Sequence, residues 1–318
     1  MNAPRALRLG SRRSPMAVSQ SRHVADLLTE RTGRPVELVG ITTFGDVSRA
    51  QLTQIGGTGV FVSALRESLM SGEVDFAVHS LKDLPTAQPD GIVLAAVPPR
   101  DDPRDALVAR DGIKLADLPR GARIGTGSPR RAAQLRLLRE DIETLSIRGN
   151  ANTRMDRVVT GELDAVVLAC AGLKRIAQLD AISQIFEAEE MLPAPGQGAL
   201  AVECRSDDAE LTGLLAAIDD APTRAAAAAE RTLLAALEAG CSAPVGAFAT
   251  LASGILRLEA AVFGNTAGGI EVLRDHAAVA PEEAERLGRV LAERMLAQGA
   301  AGLMAAPLTG SATDNWQE

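Results

Sequence analysis

Two pairs of segments in this chain repeat a pattern, and the repetition limits its possible folds more than any other feature. Residues 8–15 (RLGSRRSP) and 123–129 (RIGTGSP) each resemble a strand, a glycine and a Ser-Pro helix start. Residues 72–78 (GEVDFAV) and 161–167 (GELDAVV) form the second pair. Different lengths of chain separate the members of each pair, which excludes a solenoid with a fixed period. The pattern predicts two domains of one architecture, each with a mostly parallel sheet between helices.

Proline-rich segments mark the places where the chain is expected to pass between these domains. Three prolines over 98–103 lie at the first crossing, and the segment 193–198 (PAPGQG) precedes a returning strand. From about Thr223 an alanine-rich helix, three strands and a final helix predict a small α+β domain. The fold class is therefore two similar periplasmic-binding-protein-like α/β domains with a crossed-over chain, plus this C-terminal domain. The expected domain bounds are 1–99 with 199–217, then 104–194, then 222–318.

Composition excludes several classes of protein. With 318 residues, 46% hydrophobic and 23% charged, the chain has the proportions of a globular protein rather than a disordered or collagen-like one. A net charge of -8 argues against a general nucleic-acid binder. No segment approaches the ~20 apolar residues of a membrane helix. Polar residues follow the pair Arg12 and Arg13, where an export signal would be hydrophobic. We expect a cytoplasmic protein without nucleic-acid or membrane partners.

The three cysteines are expected to lie in different environments. They are widely spaced and form no C-x-x-C pair, so neither a disulfide framework nor a zinc site is expected. Cys170 follows an apolar strand and Cys204 lies within another, which is typical of small buried side chains. Cys241 lies in the loop 240–244 (GCSAP), just past a helix end, where a thiol could be exposed. A cysteine hydrolase would need a histidine partner, and only His276 is near in sequence.

Arginines gather at predicted strand ends and helix starts. Of the 33 basic residues only three are lysines. Genome composition is one explanation, and a need for planar forks that bind carboxylate or phosphate is the other. Helix N-termini at Ser14 and Ser128 favour anions, and open α/β sheets bind ligands beyond the carboxyl ends of their strands. The sequence predicts a polyanion cleft formed by these arginines: Arg12, Arg13, Arg130, Arg131, Arg148, Arg154 and Arg175.

The strand 75–81 (DFAVHSL) carries two further candidates. Asp83 follows it in the loop KDLP, where the carboxylate could cap the loop, pair with Lys82, stabilise a cation or pass a proton. His79 lies inside the apolar run and is interpreted as a packed core residue. The glycine-rich segments 56–59 and 125–127 lack the remaining residues of a P-loop and of a dinucleotide fingerprint.

Seven motifs in this chain occur in the order and spacing of one enzyme family, the porphobilinogen deaminases or hydroxymethylbilane synthases. The resemblance runs from about residue 7 to residue 250, and the remainder is similar in length and layout more than in motif. The motifs are SRRSP (11–15), GGTGVFV (56–62), HSLKDLP (79–85), GTGSPRR (125–131), IRGNANTR (147–154), PAPGQGAL (193–200) and GCSAPVGA (240–247).

The resemblance implies a transferase of heme biosynthesis that works without a metal. Four porphobilinogen molecules would be condensed head to tail, with loss of ammonia, into the linear tetrapyrrole hydroxymethylbilane. Cys241 would hold a dipyrromethane cofactor through a thioether, and Asp83 would be the catalytic carboxylate. The resemblance also implies a monomer whose product passes to uroporphyrinogen III synthase.

A larger set of side chains would contact the substrate and the cofactor. Phe61 could stack against a pyrrole ring, and Gln197 would line the domain crossing. Family members often carry lysine where this chain has Gln54 and Thr58, in a loop expected to cover the cleft, and we expect the arginines to suffice. The implied carboxylate contacts are Arg12, Ser14, Ser80, Lys82, Thr126, Ser128, Arg130, Arg131, Arg148, Arg154 and Arg175.

Other interpretations remain open. Twin α/β domains with a crossed-over chain also describe non-enzymatic carboxylate-binding proteins of the periplasm, which an export signal would favour. A ligand-sensing regulatory domain is a third possibility, although neither a helix-turn-helix nor a basic stretch accompanies it. A cysteine hydrolase has the least support.

Overall fold

The computed structural model describes residues 5–41, 59–240, 243–266 and 268–305, with side chains of the helix beginning at Gly59 described from Val62 onward. The chain divides into two compact units, Met1–Asp101 with Gly198–Ala227 and Asp102–Gln197 with Ala228–Glu318. It therefore leaves the first unit and later returns to it. The bounds expected for three separate domains stay a prediction, because the second unit contains both a five-stranded and a three-stranded sheet.

The helices and strands alternate along most of the described chain. In chain order they are β1 Leu7–Arg12, α1 Pro15–Thr32, β2 Val36–Ile41, α2 Gly59–Met70, β3 Phe76–Ser80, β4 Ile92–Ala96, β5 Asp105–Ala109, β6 Arg123–Gly125, α3 Pro129–Leu138, β7 Glu143–Leu145, α4 Ala151–Val159, β8 Ala165–Ala169, α5 Cys170–Arg175, β9 Gln184–Ile185, β10 Leu200–Arg205, α6 Ala209–Leu215, α7 Ala221–Ala236, β11 Val245–Ala252, β12 Ile255–Thr266, β13 Gly269–Val279, α8 Ala284–Ala297 and α9 Ala300–Ala305.

The first unit contains a sheet with the strand order β2-β1-β3-β10-β4. β1 is parallel to β2 and β3, whereas β10 is antiparallel to its neighbours β3 and β4. Successive side chains of a strand point to opposite faces. Leu9 therefore packs with Val24 of α1 on one face, and Ala77 packs with Leu65 of α2 on the other. Two helices thus bury both faces of the sheet.

The second unit repeats this plan in the order β7-β6-β8-β5-β9, with β5 antiparallel to β8 and β9. The repetition extends to single hydrogen bonds. Asp75 accepts the backbone N–H of Arg8 at 2.7 Å, and Asp164 accepts that of Arg123 at 2.7 Å. The side chain of each arginine also donates to the carbonyl of the glycine three residues before its aspartate. Two α/β domains of one architecture are confirmed, with one antiparallel strand inserted in each sheet.

The C-terminal part is an antiparallel sheet in the order β11-β12-β13, on which α8 and α9 pack. Its centre is apolar, with Leu258, Ala260 and Phe263 fully buried. Gly288 of α8 lies so close to α7 that a Cβ atom there would overlap the carbonyl oxygen of Ala229. The expected α+β element order is confirmed in this region.

Two further expectations concern burial and helix ends. Cys170 and Cys204 are buried, as predicted, and burial raises the pKa of the Cys170 thiol to about 12. The alanine-rich helix ends at Ala236, earlier than predicted, and Glu238 follows with a φ of 53°. Across the described parts of the chain, every helix is too short or too polar to cross a membrane.

Candidate active site

A cavity of about 120 Å³ lies in the first unit. Cavities of about 150 Å³ hold one benzene ring, so this space is on the scale of a single small aromatic ring. The lining residues are Arg12, Ser14, Met16, Ala17, Gln20, Val62, Leu65, Val78, His79, Ser80 and Asp83.

Sheet topology brings the polar members of this lining together. β1 ends at Arg12 and β3 ends at Ser80, and the two strands are parallel neighbours, so their carboxyl ends meet at one sheet edge. Ser14 caps α1, its Oγ accepting the N–H of Ala17 at 3.3 Å. A single 3₁₀ turn, Leu81–Asp83, then directs Asp83 into the cavity. Four polar residues predicted from the sequence therefore share one site.

Most of the surface of the cavity is apolar, and its apolar residues come from α1, α2 and β3. Low polarity strengthens electrostatic interactions, so a carboxylate at its rim acts more strongly on a cation than it would in water. Asp83 is half-buried. Lys82 lies in the same 3₁₀ turn and is half-buried, but it is not part of the cavity lining.

Sequence reasoning missed a charged group behind this cavity. Arg66 of α2 donates to Glu203 of β10 through Nε at 3.0 Å and Nη2 at 2.7 Å. Nε2 of His79 lies 3.3 Å from the same carboxylate. His79 is buried as predicted, but it also borders the cavity. The available signal was the single charged residue within the buried strand 200–204 (LAVEC).

In the second unit, the two adjacent arginines at the start of α3 are buried around one aspartate. Arg130 and Arg131 are 2% and 6% exposed, and Asp105 is fully buried. Arg131 donates to Oδ1 of Asp105 through Nε at 3.1 Å and Nη2 at 2.7 Å, and Arg130 Nη1 lies 2.8 Å from Oδ2. Gln197 also donates to Oδ1 at 2.8 Å. Asp105 thus organises side chains that the sequence suggested only as carboxylate contacts.

This buried group carries an excess of positive charge, because two guanidiniums share one carboxylate. Burial lowers the pKa of Arg130 despite the neighbouring Asp105, and its Nε is buried without a hydrogen bond. The pKa of the half-buried Arg154 is lowered by burial and by the charge of Arg131. These side chains fit an anionic ligand, such as a group carrying several carboxylates, because a negative charge would relieve both effects.

The other predicted contacts of the second unit lie at strand and helix ends. Thr126 is buried after β6, and its Oγ1 accepts the N–H of Ser128, whose own Oγ caps α3. Arg154 of α4 donates to the carbonyl of Gly149 at 2.8 Å. Arg148 is exposed in the loop before α4, and Arg175 is half-buried at the end of α5. Their contact with a ligand stays a prediction.

Several of the predicted site residues lie wholly or partly outside the described residues. Cys241, Gln54 and Thr58 lie outside the described residues, and the backbone of Phe61 belongs to α2 while its side chain lies outside them. The helix α7, which precedes Cys241 in the sequence, carries the buried Glu230. This carboxylate accepts the N–H groups of Gly196 at 2.6 Å and Ala249 at 2.8 Å, tying the PAPGQG segment to β11.

Comparisons with known proteins identify the same family over nearly the whole chain. The family model "Porphobilinogen deaminase, dipyromethane cofactor binding domain" matches residues 7–213, and "Porphobilinogen deaminase, C-terminal domain" matches residues 225–297. A porphobilinogen deaminase of Thermobifida fusca is 60% identical over 314 residues, covering 95% of this chain and 97% of the relative. Porphobilinogen deaminase 1 of Streptomyces coelicolor is 60% identical over 312 residues, covering 94% and 98%.

Solved structures give weaker similarities. The periplasmic VFT2 domain of Bordetella pertussis BvgS, as a double mutant, has a TM-score of 0.39 at 19% identity, covering 67% of this chain and 86% of that domain. A putative sulfonate-binding protein, SsuA from Methylobacillus flagellatus, has a TM-score of 0.37 at 15% identity, covering 73% and 68%. Similarity at this level assigns no function.

Proposed function

The chain belongs to the porphobilinogen deaminase family, and from that premise we infer that it is a transferase of tetrapyrrole and heme biosynthesis. It condenses four porphobilinogen molecules head to tail, with loss of ammonia, into hydroxymethylbilane. The observation that carries this conclusion for the described residues is the cavity of the first unit, which combines Asp83 and Arg12 with an apolar wall on the scale of one ring.

Asp83 is the catalytic carboxylate of the proposed mechanism. Each condensation passes through a cation that forms when ammonia leaves the aminomethyl group of porphobilinogen and the pyrrole ring shares the positive charge. A carboxylate at the cavity rim accepts the pyrrole N–H and stabilises this charge, which is the kind of preorganised electrostatic effect that enzymes use most. Most of the cavity surface is apolar, and low polarity strengthens this interaction.

The arginines of the proposed site neutralise the carboxylates of the pyrroles. Every porphobilinogen brings an acetate and a propionate, so negative charge accumulates as the product lengthens. In the first unit Arg12 and Ser14 border the cavity, where an anion also meets the N-terminus of α1. In the second unit the group around Arg130, Arg131 and Arg154 supplies the positive charge. Planar guanidinium forks suit carboxylates better than ammonium groups do.

The dipyrromethane cofactor supplies a covalent primer on which the product grows. We assign its thioether attachment to Cys241, which the GCSAPVGA motif supports. The buried arginine group fits the carboxylates of such a primer for the electrostatic reasons given above. A tether makes elongation intramolecular, with the gain in effective concentration that this brings.

Three further features of the proposed function are expectations from family membership. The enzyme acts as a monomer in the cytoplasm, and its product is used by uroporphyrinogen III synthase. Gel filtration of the loaded protein tests the first of these directly.

The intact mass of the denatured protein tests the proposed function most directly. A mass excess equal to two linked pyrrole units is expected for the wild type, and Cys241→Ser removes the excess while the far-ultraviolet circular dichroism stays unchanged. Cys204→Ser is the matched control, because Cys204 is buried in β10 and should retain the excess. The bare sequence mass in freshly prepared wild type would favour a binding protein instead.

Asp83→Asn tests the catalytic assignment separately. The substitution keeps the shape of the side chain but removes the negative charge, so kcat should fall by about 10²–10³-fold, the range found when one stabilising group of a charged intermediate is lost. Formation of tetrapyrrole is followed by its absorbance after oxidation. Near-normal kcat in a folded, loaded variant would remove Asp83 from the catalytic role.

A further inference from the structure

The buried array of Arg66, Glu203 and His79 is a chemical feature of the first unit that borders the cavity and that the proposed mechanism leaves unused. Its three side chains come from three elements, α2, β10 and β3, and are 16%, 4% and 6% exposed. Arg66 holds the Glu203 carboxylate through two hydrogen bonds, and Nε2 of the imidazole lies 3.3 Å from Oε2, the oxygen that also accepts from Arg66 Nε. Because His79 also borders the cavity, the array connects a fixed buried anion with the space assigned to the substrate.

The array determines which nitrogen of the His79 ring carries a proton. Burial raises the pKa of a carboxyl group, but the interactions with His79 and Arg66 outweigh it and lower the pKa of Glu203 to about 2. A lone pair on Nε2 would face this carboxylate and be repelled, so Nε2 carries the hydrogen. The alignment is not that of a strong hydrogen bond, and the contact is chiefly electrostatic. Nδ1 is then the nitrogen able to accept a proton.

The charged neighbours of His79 are few among the described residues. Glu203 of β10 lies beside its Nε2, and Arg66 of α2 binds the same carboxylate. The other charged residues of the cavity lining are Arg12, at the end of β1, and Asp83, in the 3₁₀ turn. From α1 come only a methionine, an alanine and a glutamine, none of which titrates.

We propose that His79 is the base that accepts the proton released in each condensation, with Glu203 stabilising the imidazolium that forms. The inference rests on the proposed function and deepens it. An imidazole beside a buried carboxylate, and bordering the site of reaction, is an arrangement that enzymes use for a general base.

The chemistry of the condensation requires such an acceptor. The C–N bond of the aminomethyl group breaks, the electron pair leaves with ammonia, and the pyrrole nitrogen supplies electrons to the methylene carbon. The free α-carbon of the growing chain then attacks, and a C–C bond forms. Next, the C–H bond of that α-carbon breaks, its electron pair restores the aromatic ring, and the proton passes to Nδ1 of His79. The released ammonia removes this proton as ammonium, so the charges balance.

The variant His79→Gln separates this role from simple packing. A glutamine amide can place an N–H near the position of Nε2, which preserves the contact with Glu203 but removes the proton acceptor. We expect kcat to fall on the order of 10²-fold, a typical contribution of general base catalysis, with little change in KM. A general base acts only in its unprotonated form, so an acid-side fall of kcat that this base causes should also disappear.

Glu203→Gln provides a second measurement, in which the acid-side fall of kcat should move rather than disappear. Without the anion the imidazolium is less stable, so the acid-side fall of kcat should move to lower pH. Asp75→Asn is the matched control, because Asp75 is a buried carboxylate of the same unit, held by Arg5 and Arg8, outside the cavity lining. It should lower Tm without moving the pH profile.

Failure of the proposal about His79 and failure of the proposed function give different results. Wild-type kcat and an unchanged acid-side fall in His79→Gln would overturn the proposal. If that variant fails to fold or to acquire its cofactor, as Tm and intact mass would reveal, Glu203→Gln decides, and an unmoved profile overturns the proposal. Absence of tetrapyrrole formation in the loaded wild type would instead refute the proposed function, before any variant is compared.

Discussion

Replacing Asp105 by asparagine should destabilise the second unit strongly, because it leaves two buried arginines without a counter-charge. Asp105 is fully buried and meets Arg130, Arg131 and Gln197 within 3.1 Å. Removing one partner from a buried ion pair typically costs about 3–5 kcal/mol. For a unit of this size, about 2–4 °C of Tm per kcal/mol corresponds to a fall of roughly 6–20 °C.

The matched control is Asp164→Asn at the other end of the same sheet. Asp164 also binds two arginines, Arg110 and Arg123, but those guanidiniums are 48% and 42% exposed, so water screens the pairs. Its loss should cost only about 1–2 kcal/mol, mostly from the backbone hydrogen bond of Arg123. Differential scanning calorimetry and urea unfolding followed by circular dichroism provide the measurements. Equal losses in the two variants, or an Asp105→Asn protein as stable as wild type, would refute this account of the buried group.

Two further predictions concern packing and acid stability. Gly288→Ala should lower the free energy of unfolding by several kcal/mol, because the new Cβ would overlap the Ala229 carbonyl. Gly213→Ala in α6, with open space around it, should be neutral or stabilising. Equal Tm values, or equal urea midpoints, for the two variants would contradict this. Glu203 has a depressed pKa of about 2, so its contribution to stability, roughly 3 kcal/mol, is present above the unfolded pKa of about 4.3 and is lost as pH falls from about 5 towards 2. The stability difference between wild type and Glu203→Gln should therefore shrink over that range, and a difference independent of pH would show that the carboxylate does not titrate as described.

Much of the fold followed from local patterns, and the reason is visible in particular residues. Ser14 and Ser128 cap helices that begin with proline, as the two Ser-Pro pairs predicted. The repeated GExD segments lead into β3 and β8. Their aspartates bind backbone N–H groups of equivalent arginines in the two sheets. Capping and period-2 alternation depend on neighbours a few residues away, so sequence alone carries them.

The site was predictable only in part. Arg12, Ser14, Ser80 and Asp83 lie at the ends of parallel neighbouring strands, and a rule about sheet edges brings them together. The prediction that His79 packs in the core was correct about its burial but did not identify Glu203 as its partner. Glu203 is more than a hundred residues from both Arg66 and His79, so no local pattern could associate them.

The sequence by itself determined two α/β units, their helix starts, and the strand ends that carry polar side chains, because each depends on short-range geometry. Only the tertiary structure decided that β10 returns between β3 and β4 and thereby places Glu203 beside Arg66 and His79. In the same way, it decided that Asp105 binds Arg130 and Arg131. Burial makes an unpaired charge costly, so the partner of each buried charge is set by which distant segments the fold brings into contact.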